Sequence, residues 1–466
     1  MMNAFVRNKI SIYDPTPEMR SWCREHLILD NPEYVKKQNM GLWTGNIPSQ
    51  FCLYEEVANC LVLPFGCLHE IHEQFPDMPM QGRIRRADGF QYESHINLYP
   101  YQENAVQEIL RRKNGIIVMP CGGGKTQTAL ETVARIGMKA LWLTHTQDLL
   151  MQSMNRAKAV YGCSLSSYGT ITAGRVKIGS GLTFATVQTA SKVDLLPYKD
   201  EFGCIIVDEC AHAVGSPTKT MQFYKVLSQL TCRYKIGLTA TPKRADGLSR
   251  MMFALIGGIA YEVSRESVKN TTSPVEVRQI ETGYTPDMDM ALCGDGTINY
   301  AGLVEDMTHD QKRFNAVLSV IKDIPEGMPT LVLANRVDYL QRLTKACGKK
   351  AVCLSGMGTS KKAREERKAA LADLNEGRID CLFASYQLAK EGLDVPNLRY
   401  VIFATPEKDP STVEQAAGRV ARKAEGKDKG TVIDLVDDFG MLYGWAKKRR
   451  NIYVKKMGFN VIENGA

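Results

Sequence analysis

From about Gly115 to Tyr261, short apolar runs alternate with helix-length segments. The runs are Ile116–Met119, Ala140–Thr144, Leu182–Ala185, Cys204–Val207 and Tyr234–Leu238. Short apolar runs of this kind read as strands buried on both faces, and helices between them make parallel crossovers. This predicts a doubly wound parallel sheet. A second alternation runs from about Gln311 to Asp437, with strands at Thr330–Ala334, Ala351–Leu354, Cys381–Ala384, Tyr400–Phe403 and Gly430–Leu435. Between the two, Val275–Ile280 reads as a strand and Pro286–Gly302, rich in Gly, Asp and Met, as a loop or small insertion. Residues 1–97 show no repeating α/β unit. Helical patches such as Pro17–Leu29 and short runs such as Cys60–Pro64 predict a small α+β module. The fold class is therefore α/β, with an accessory module at 1–97, a first domain at 98–265, a linker or insertion at 266–310 and a second domain at 311–466. Phe439–Phe459 reads as a terminal helix, with Trp445, Tyr453 and Phe459 on its apolar side.

Chemistry gathers after the strands, where ligands bind in such sheets. Ile116–Thr126 reads IIVMPCGGGKT. The apolar strand leads into a turn of Pro120, Cys121, Gly122, Gly123 and Gly124, and Lys125-Thr126 opens a helix. This is a P-loop, in which backbone N–H groups and the helix N-terminus cradle phosphate. Lys125 reaches the outer phosphates and Thr126 can ligate Mg²⁺. Met119 stands where the common pattern has glycine. Asp208 and Glu209 end the strand Cys204–Val207, 82 residues after Thr126. Asp208 is placed to hold Mg²⁺, and Glu209 to orient and deprotonate the attacking water. His212 follows as a link to neighbouring elements. Thr239 and Thr241, after the next strand, can bond the acidic motif and sense the γ-phosphate. Gln102, a short helix before the P-loop, can pair with both the donor and the acceptor edge of adenine. Thr144, His145, Thr186, Gln188 and Thr189 also cap strand ends and are candidate sugar–phosphate contacts, although ordinary helix N-capping explains such residues as well. Arg336 and Ser355 follow the first two strands of the second domain and join that set. Arg419 and Arg422 lie i and i+3 on an expected helix, so both would face one way. Offered across a cleft, they would be arginine fingers.

Net charge is +8, and residues 311–466 carry 28 basic against 19 acidic side chains. A basic C-terminal third points to a polyanion partner. Part of that charge is Lys447-Lys448-Arg449-Arg450 on the terminal helix, where a solvated face and backbone contact to nucleic acid both remain open. The basic cluster Gly82–Arg86 is open in the same way. Thirteen cysteines without a C-x-x-C pair argue for free thiols in a reducing compartment. Cys60, Cys67, His69 and His72 invite a zinc reading, but the spacing is not that of a usual finger. No apolar run reaches the roughly 18–20 residues of a membrane span, and the N-terminus lacks an apolar signal core. A cytoplasmic protein is expected, in a host cytoplasm if phage-encoded.

Gln102, the P-loop, DECAH, TATP, EGLD and QAAGRVAR occur in this order over residues 98–437. The set resembles the superfamily 2 helicases. THT, TVQT, and TATPKRADG followed by IGGIAYEV resemble the XPB/UvsW branch, and the compact size is similar to phage recombination helicases. The resemblance implies two RecA-like domains in tandem, with ATP and Mg²⁺ bound between them. It assigns Gly392 and Asp394 to nucleotide contact and Gln415 to coupling. It further implies a DNA partner, forked, branched or single-stranded, 3′→5′ translocation, work with replication or recombination proteins, and a monomer. Tyr99 stands where the family often has arginine. Arg244-Ala245-Asp246 departs from the Arg-Glu-Asp element of XPB proteins, which puts a direct XPB-type wedge in doubt. An ATP-gated remodelling clamp and an RNA helicase are the alternatives.

Overall fold

The structure is a computed structural model describing residues 2–82, 84, 87–162, 164–172, 174–213, 217–242, 247–354, 361–390, 393 and 395–462; the side chains of 165, 212, 213, 217–221, 270, 361 and 390 lie outside that description. The chain divides into two compact units, Met1–Pro120 with Gly124–Ser264, and Cys121–Gly123 with Arg265–Ala466. Among the described residues no helix is long and apolar enough to cross a membrane.

The first unit holds two main sheets. Its N-terminal part has strands β1 (Asn3–Val6), β2 (Lys9–Tyr13), β3 (Ile28–Asp30), β4 (Gln50–Cys52), β5 (Glu55–Val57), β6 (Cys60–Pro64) and β7 (Met80–Gln81). Five of them form a sheet in the order β5-β6-β2-β1-β7, and β3 pairs with β4. The larger sheet has β8 (Asn114–Val118), β9 (Ala140–Thr144), β10 (Tyr168–Thr172), β11 (Arg175–Lys177), β12 (Leu182–Thr186), β13 (Cys204–Val207), β14 (Tyr234–Thr239) and β15 (Ile259–Glu262). Their order is β11-β10-β12-β9-β13-β14-β8-β15, and only the β10–β11 pair is antiparallel. β8, β9, β12 and β13 are buried along their whole length, as strands covered on both faces must be. The five predicted strands are present. β10, β11 and β15 were not predicted, because Thr, Gly and charged residues interrupt their apolar character.

The N-terminal part shares one hydrophobic cluster with the large sheet, from Ile10 and Trp22 through Leu141 to Met252. Arg250 clamps the contact with a bidentate bond to Glu70 at 2.7 and 2.6 Å and a bond to the His26 carbonyl at 2.9 Å. Gly66 leaves no room for a side chain, since a Cβ there would lie 2.4 Å from the Phe253 carbonyl. Cys67 is buried and its thiol is pushed up to about 12 by burial, while His69 bonds the Arg112 carbonyl at 3.1 Å. Two of the four zinc candidates thus serve packing and backbone capping. Among the described residues no group of three or more His, Cys, Asp or Glu is gathered for a metal.

The second unit carries β16 (Val275–Glu281), β17 (Thr330–Ala334), β18 (Ala351–Cys353), β19 (Cys381–Ser385), β20 (Tyr400–Phe403), β21 (Gly430–Val436) and β22 (Asn460–Ile462). They form one parallel sheet, β18-β19-β17-β20-β21-β16-β22. β16, expected within a linker, is an interior strand paired with β21 over seven residues. The expected terminal helix is α-helical over Gly440–Asn451, continues as a π-turn to Lys456 and ends in β22. Tyr453 is fully buried, but Arg449 is buried too. The basic run is therefore not a uniformly solvated face.

β21 anchors this unit through two acidic side chains. Asp434 pairs with Arg449 at 2.8 Å. Asp437, just past the strand, takes two bonds from Arg313 at 2.8 and 3.0 Å and one from Thr282 at 2.5 Å. Arg313 and Asp437 are both fully buried. A buried pair of this kind leaves an uncompensated charge when one partner is removed, at a cost of about 3–5 kcal/mol. We expect Arg313→Met to lose about that much in urea unfolding. The double variant Arg313→Met/Asp437→Leu should regain most of it, and equal losses in both would refute the pairing argument.

Candidate nucleotide-hydrolysis site

The motif-bearing strands β13, β14 and β8 are neighbours, so their ends deliver the motifs side by side. Met119 donates to the Thr239 carbonyl at 2.9 Å and aligns the loop with the end of β14. Gly122 and Gly124 have φ of +82° and +85°, where glycine carries no Cβ penalty. At Gly124 space is also limiting: a Cβ would lie 2.3 Å from Gln102 Nε2. Gly124 caps the helix Lys125–Ile136. The first N–H groups of that helix have no intrahelical acceptors and sit at the positive end of its dipole.

Lys125 opens this helix, its Nζ 3.4 Å from Glu209 Oε1 and 3.4 Å from the Met119 carbonyl. Asp208 is 5 % exposed. Its Oδ2 accepts from Ser153 at 3.2 Å and its Oδ1 from the Glu209 N–H at 3.1 Å. Burial first, then the charge of Glu209, pushes the Asp208 carboxyl up to about 6, against the pull of Lys125, Ser153 and the Glu209 amide. Glu209 has φ +48°, a left-handed conformation that costs on the order of 1–3 kcal/mol for a non-glycine residue. That turn brings its carboxylate beside Lys125.

These residues fit a nucleotide and a divalent cation. The loop N–H groups and Lys125 can take phosphate oxygens. Two carboxylates face one ammonium, so charge is left over in a buried place, and a cation beside Asp208 would relieve it. Thr126 and Asp208 are the residues that can hold Mg²⁺.

The remaining expected residues fall into three groups. Gln102 is buried, and its Oε1 accepts from the Tyr99 N–H at 2.9 Å in a capping box. The acceptor edge expected for adenine already serves the helix, and the Nε2 leans on the phosphate loop. Thr239 bonds the backbone of Thr241, through N at 3.1 Å and O at 3.2 Å, and so closes its own turn rather than reaching the acidic motif. Thr144 donates to the Thr146 carbonyl at 2.9 Å, and Thr186 caps the Thr189 N–H at 3.3 Å. Gln188 donates to the His145 carbonyl at 2.8 Å, tying the end of β12 to that of β9. Thr144, His145, Thr186, Gln188 and Thr189 therefore form one braced edge.

In the second unit, Arg336 caps a helix and lies 3.5 Å from Asp338. Gln415 is half-buried on the helix Pro410–Gly418. The shared-face expectation for Arg419 and Arg422 needs correction. The α-helix ends at Gly418, Arg419–Ala421 is 3₁₀, and Arg422 is the extended C-cap. Arg419 donates to the carbonyls of Ala389 and Leu393 and so braces the segment that carries the EGLD motif. Ser355, Gly392, Asp394, the Arg244-Ala245-Asp246 element and the side chain of His212 lie outside the described residues, as do Arg83, Arg85 and Arg86.

Comparison with known proteins follows the same division. Residues 95–244 match the family described as the type III restriction enzyme res subunit, and residues 312–424 match the helicase conserved C-terminal domain. A candidate ATP-dependent RNA helicase of Acanthamoeba polyphaga mimivirus is 25 % identical over 92 % of this chain and 79 % of its own. The DNA 3′–5′ translocase XPB2 of Sulfurisphaera tokodaii is 26 % identical over 76 % of this chain and 85 % of its own. The chain is a superfamily 2 helicase of the XPB-like type. Its two parallel-sheet domains are RecA-like. The fold matches Dbp5 of S. cerevisiae, solved with RNA and ADP–BeF₃, at a TM-score of 0.55 and 16 % identity over 86 % of this chain and 94 % of that one. The helicase hydrolyses ATP and acts on nucleic acid.

Sequence reasoning missed Ser153. Its one signal is phase: on the helix Gln147–Tyr161 it shares the buried face of Leu150 and Ala157, where a hydroxyl needs a partner. Its bond favours the charged Asp208, so losing it raises that carboxyl further. For Ser153→Ala we expect the acid limb of kcat/KM for ATP hydrolysis, measured from pH 5 to 8, to move to higher pH. A limb that stays in place would exclude Asp208 as the titrating group. Arg419→Ala should lower stability by about 2 kcal/mol through the lost carbonyl bonds, visible as a lower thermal midpoint; an unchanged midpoint would contradict the bracing role.

Proposed function

We propose that this helicase is a DNA translocase acting on forked or branched DNA and moving 3′→5′. The observation that carries the chemistry is the Lys125–Glu209 contact beside buried Asp208, at the ends of adjacent parallel strands. The P-loop N–H groups and Lys125 hold and orient the phosphates. Asp208 and Thr126 hold Mg²⁺, which supplies charge neutralisation when bound. Glu209 orients a water and takes its proton. Arg419, on release from the Ala389 and Leu393 carbonyls, and Arg422 are the basic groups assigned to charge developing in the transition state. His212, Thr239, Thr241 and Gln415 are the coupling set, and Gly392 and Asp394 complete the nucleotide contacts.

For the strand, the braced edge at Thr144, His145, Thr186, Gln188 and Thr189 supports backbone contact, and Arg336 and Ser355 are its counterparts in the second unit. Contacts of this kind position a strand without reading its sequence. They predict little sequence preference and a steep dependence on salt. The DNA assignment draws support from the relative named as a DNA 3′–5′ translocase. An RNA substrate is the second reading, favoured by the mimivirus relative's name.

The test is ATP-dependent conversion of a model fork and a four-way junction, run beside a tailed duplex and its RNA counterpart. Preferential conversion of the branched DNA is expected. Conversion of only the RNA duplex would establish the second reading. DNA-stimulated ATP hydrolysis without any conversion would replace the motor with a remodelling clamp. Glu209→Gln should cut ATP turnover by roughly 10²–10⁴-fold, and Lys125→Ala at least as much, while both retain DNA binding. Normal hydrolysis by either purified variant would sink the assignment.

A further inference from the structure

Lys427 is a cation buried among cations. It lies in the loop before β21 and is 8 % exposed. Its ammonium donates to the Arg422 carbonyl at 2.9 Å. The charged groups that act on it are the guanidinium groups of Arg399, just before β20, and of Arg422. Arg399 also donates to the carbonyl of Gly426, next to Lys427, and so is held against the same turn. On the lysine's own segment Lys423, Glu425 and Asp428 are exposed, and Lys429 pairs with Glu276 at 2.6 Å. Burial first, then Arg399 and Arg422, pushes the Lys427 ammonium down to about 8.

Burying an ammonium without a carboxylate beside it costs stability. A charge retained at such a cost marks a functional position. What Lys427 holds is the chain at Arg422. The same carbonyl accepts from Ser273 Oγ at 3.4 Å, and the Ser273 N–H donates to the Ala421 carbonyl at 2.8 Å. Arg422 leaves the 3₁₀ turn Arg419–Ala421 with extended backbone, so the helix no longer sets the direction of its carbonyl. Two side chains set it instead, one from the segment before β16 and one from the loop before β21. A charged donor makes the stronger of such bonds.

We propose that Lys427 is a positioning residue for ATP hydrolysis: its ammonium, with Ser273, locks the backbone at Arg422 and so sets where that guanidinium stands. The proposal rests on the assignment of Arg422 to transition-state charge. Like charge at Lys427 and Arg399 adds to the lock, since it disfavours a guanidinium folded back on the turn.

The experiment is steady-state ATP hydrolysis by the full chain with saturating DNA, between about pH 6 and 10, beside thermal unfolding. At about pH 7, Lys427→Met should lower kcat by roughly tenfold, the order of one charge-assisted hydrogen bond, with KM for ATP unchanged. Its thermal midpoint should equal or exceed that of the wild type, because a buried charge is gone. Wild-type kcat should fall as pH rises through about 8, where the ammonium loses its proton and bonds the carbonyl more weakly. The Lys427→Met profile should lack that fall. Lys427→Arg, which stays charged, should hold near wild-type kcat beyond it. Wild-type kcat in Lys427→Met overturns the positioning role, as does a midpoint that drops together with kcat. A Lys427→Arg variant that falls as the wild type does overturns it too. Arg422→Ala should cut kcat by roughly a hundredfold or more; if it does not, the assignment of Arg422 itself fails, whatever Lys427→Met does.

Discussion

The first unit is organised around a carboxylate that is costly to bury. Asp208 ends a strand with no exposed residue, is itself 5 % exposed, and has a second carboxylate next in the chain. Burial alone would favour its neutral form. Ser153, the Glu209 N–H and the nearby Lys125 ammonium all act in the opposite direction. Because the folded state binds this proton more readily than the unfolded chain, the group's contribution to stability falls as pH rises towards 6. The arrangement gives up some stability to hold a carboxylate ready beside an anion-binding loop. Everything around it follows from strand order: only adjacent parallel strands β13, β14 and β8 can bring an acidic end, a threonine turn and a glycine loop to one place.

The second unit meets a related problem differently. Asp434 and Asp437 are also buried, but each is paired with a buried arginine. Arg313 holds the helix before β17 and Arg449 the terminal helix, both against β21. Here buried charge serves assembly of the unit, whereas in the first unit it is left partly uncompensated. Arg419 belongs with the assembling group as well, since its guanidinium is bonded to two backbone carbonyls. Arginines that look equivalent in a basic segment therefore do unlike things: Arg449 is core, Arg419 braces a loop, and Arg422 caps a helix end.

Much of this was legible in the chain because parallel strands are continuous apolar runs. β9, β13, β17 and β20 were predicted to the residue, and the P-loop and Asp208-Glu209 lie at predicted strand ends. The failures have physical causes. β16 was placed in a linker because strand pairing with β21 is a long-range fact that local pattern does not contain. The Arg419–Arg422 face assumed a helix that runs through both, but the α-helix ends at Gly418, one 3₁₀ turn covers Arg419–Ala421, and Arg422 is the extended residue beyond it. Gln102 shows a subtler limit. Its type suits adenine, and its Oε1 also closes a capping box on the Tyr99 N–H, a use that local pattern did not reveal. Ser153 was hidden because a serine in an amphipathic helix has no pattern of its own.

The contact between Lys125 and Glu209 gives these pieces a sequence of action. The Lys125 ammonium lies 3.4 Å from Glu209 as an ion-pair partner. Phosphate oxygens at the loop compete for the same ammonium with more charge than one carboxylate carries. Phosphate bound at the loop thus draws on the same ammonium that Glu209 contacts, while the left-handed backbone of Glu209 keeps its carboxylate in place. The strain stored at Glu209 is then a positioning device, since the carboxylate stays aimed at the loop whichever group the lysine serves. On the proposed assignment of Glu209 as the base, water activation is linked to phosphate binding through the lysine that both contact.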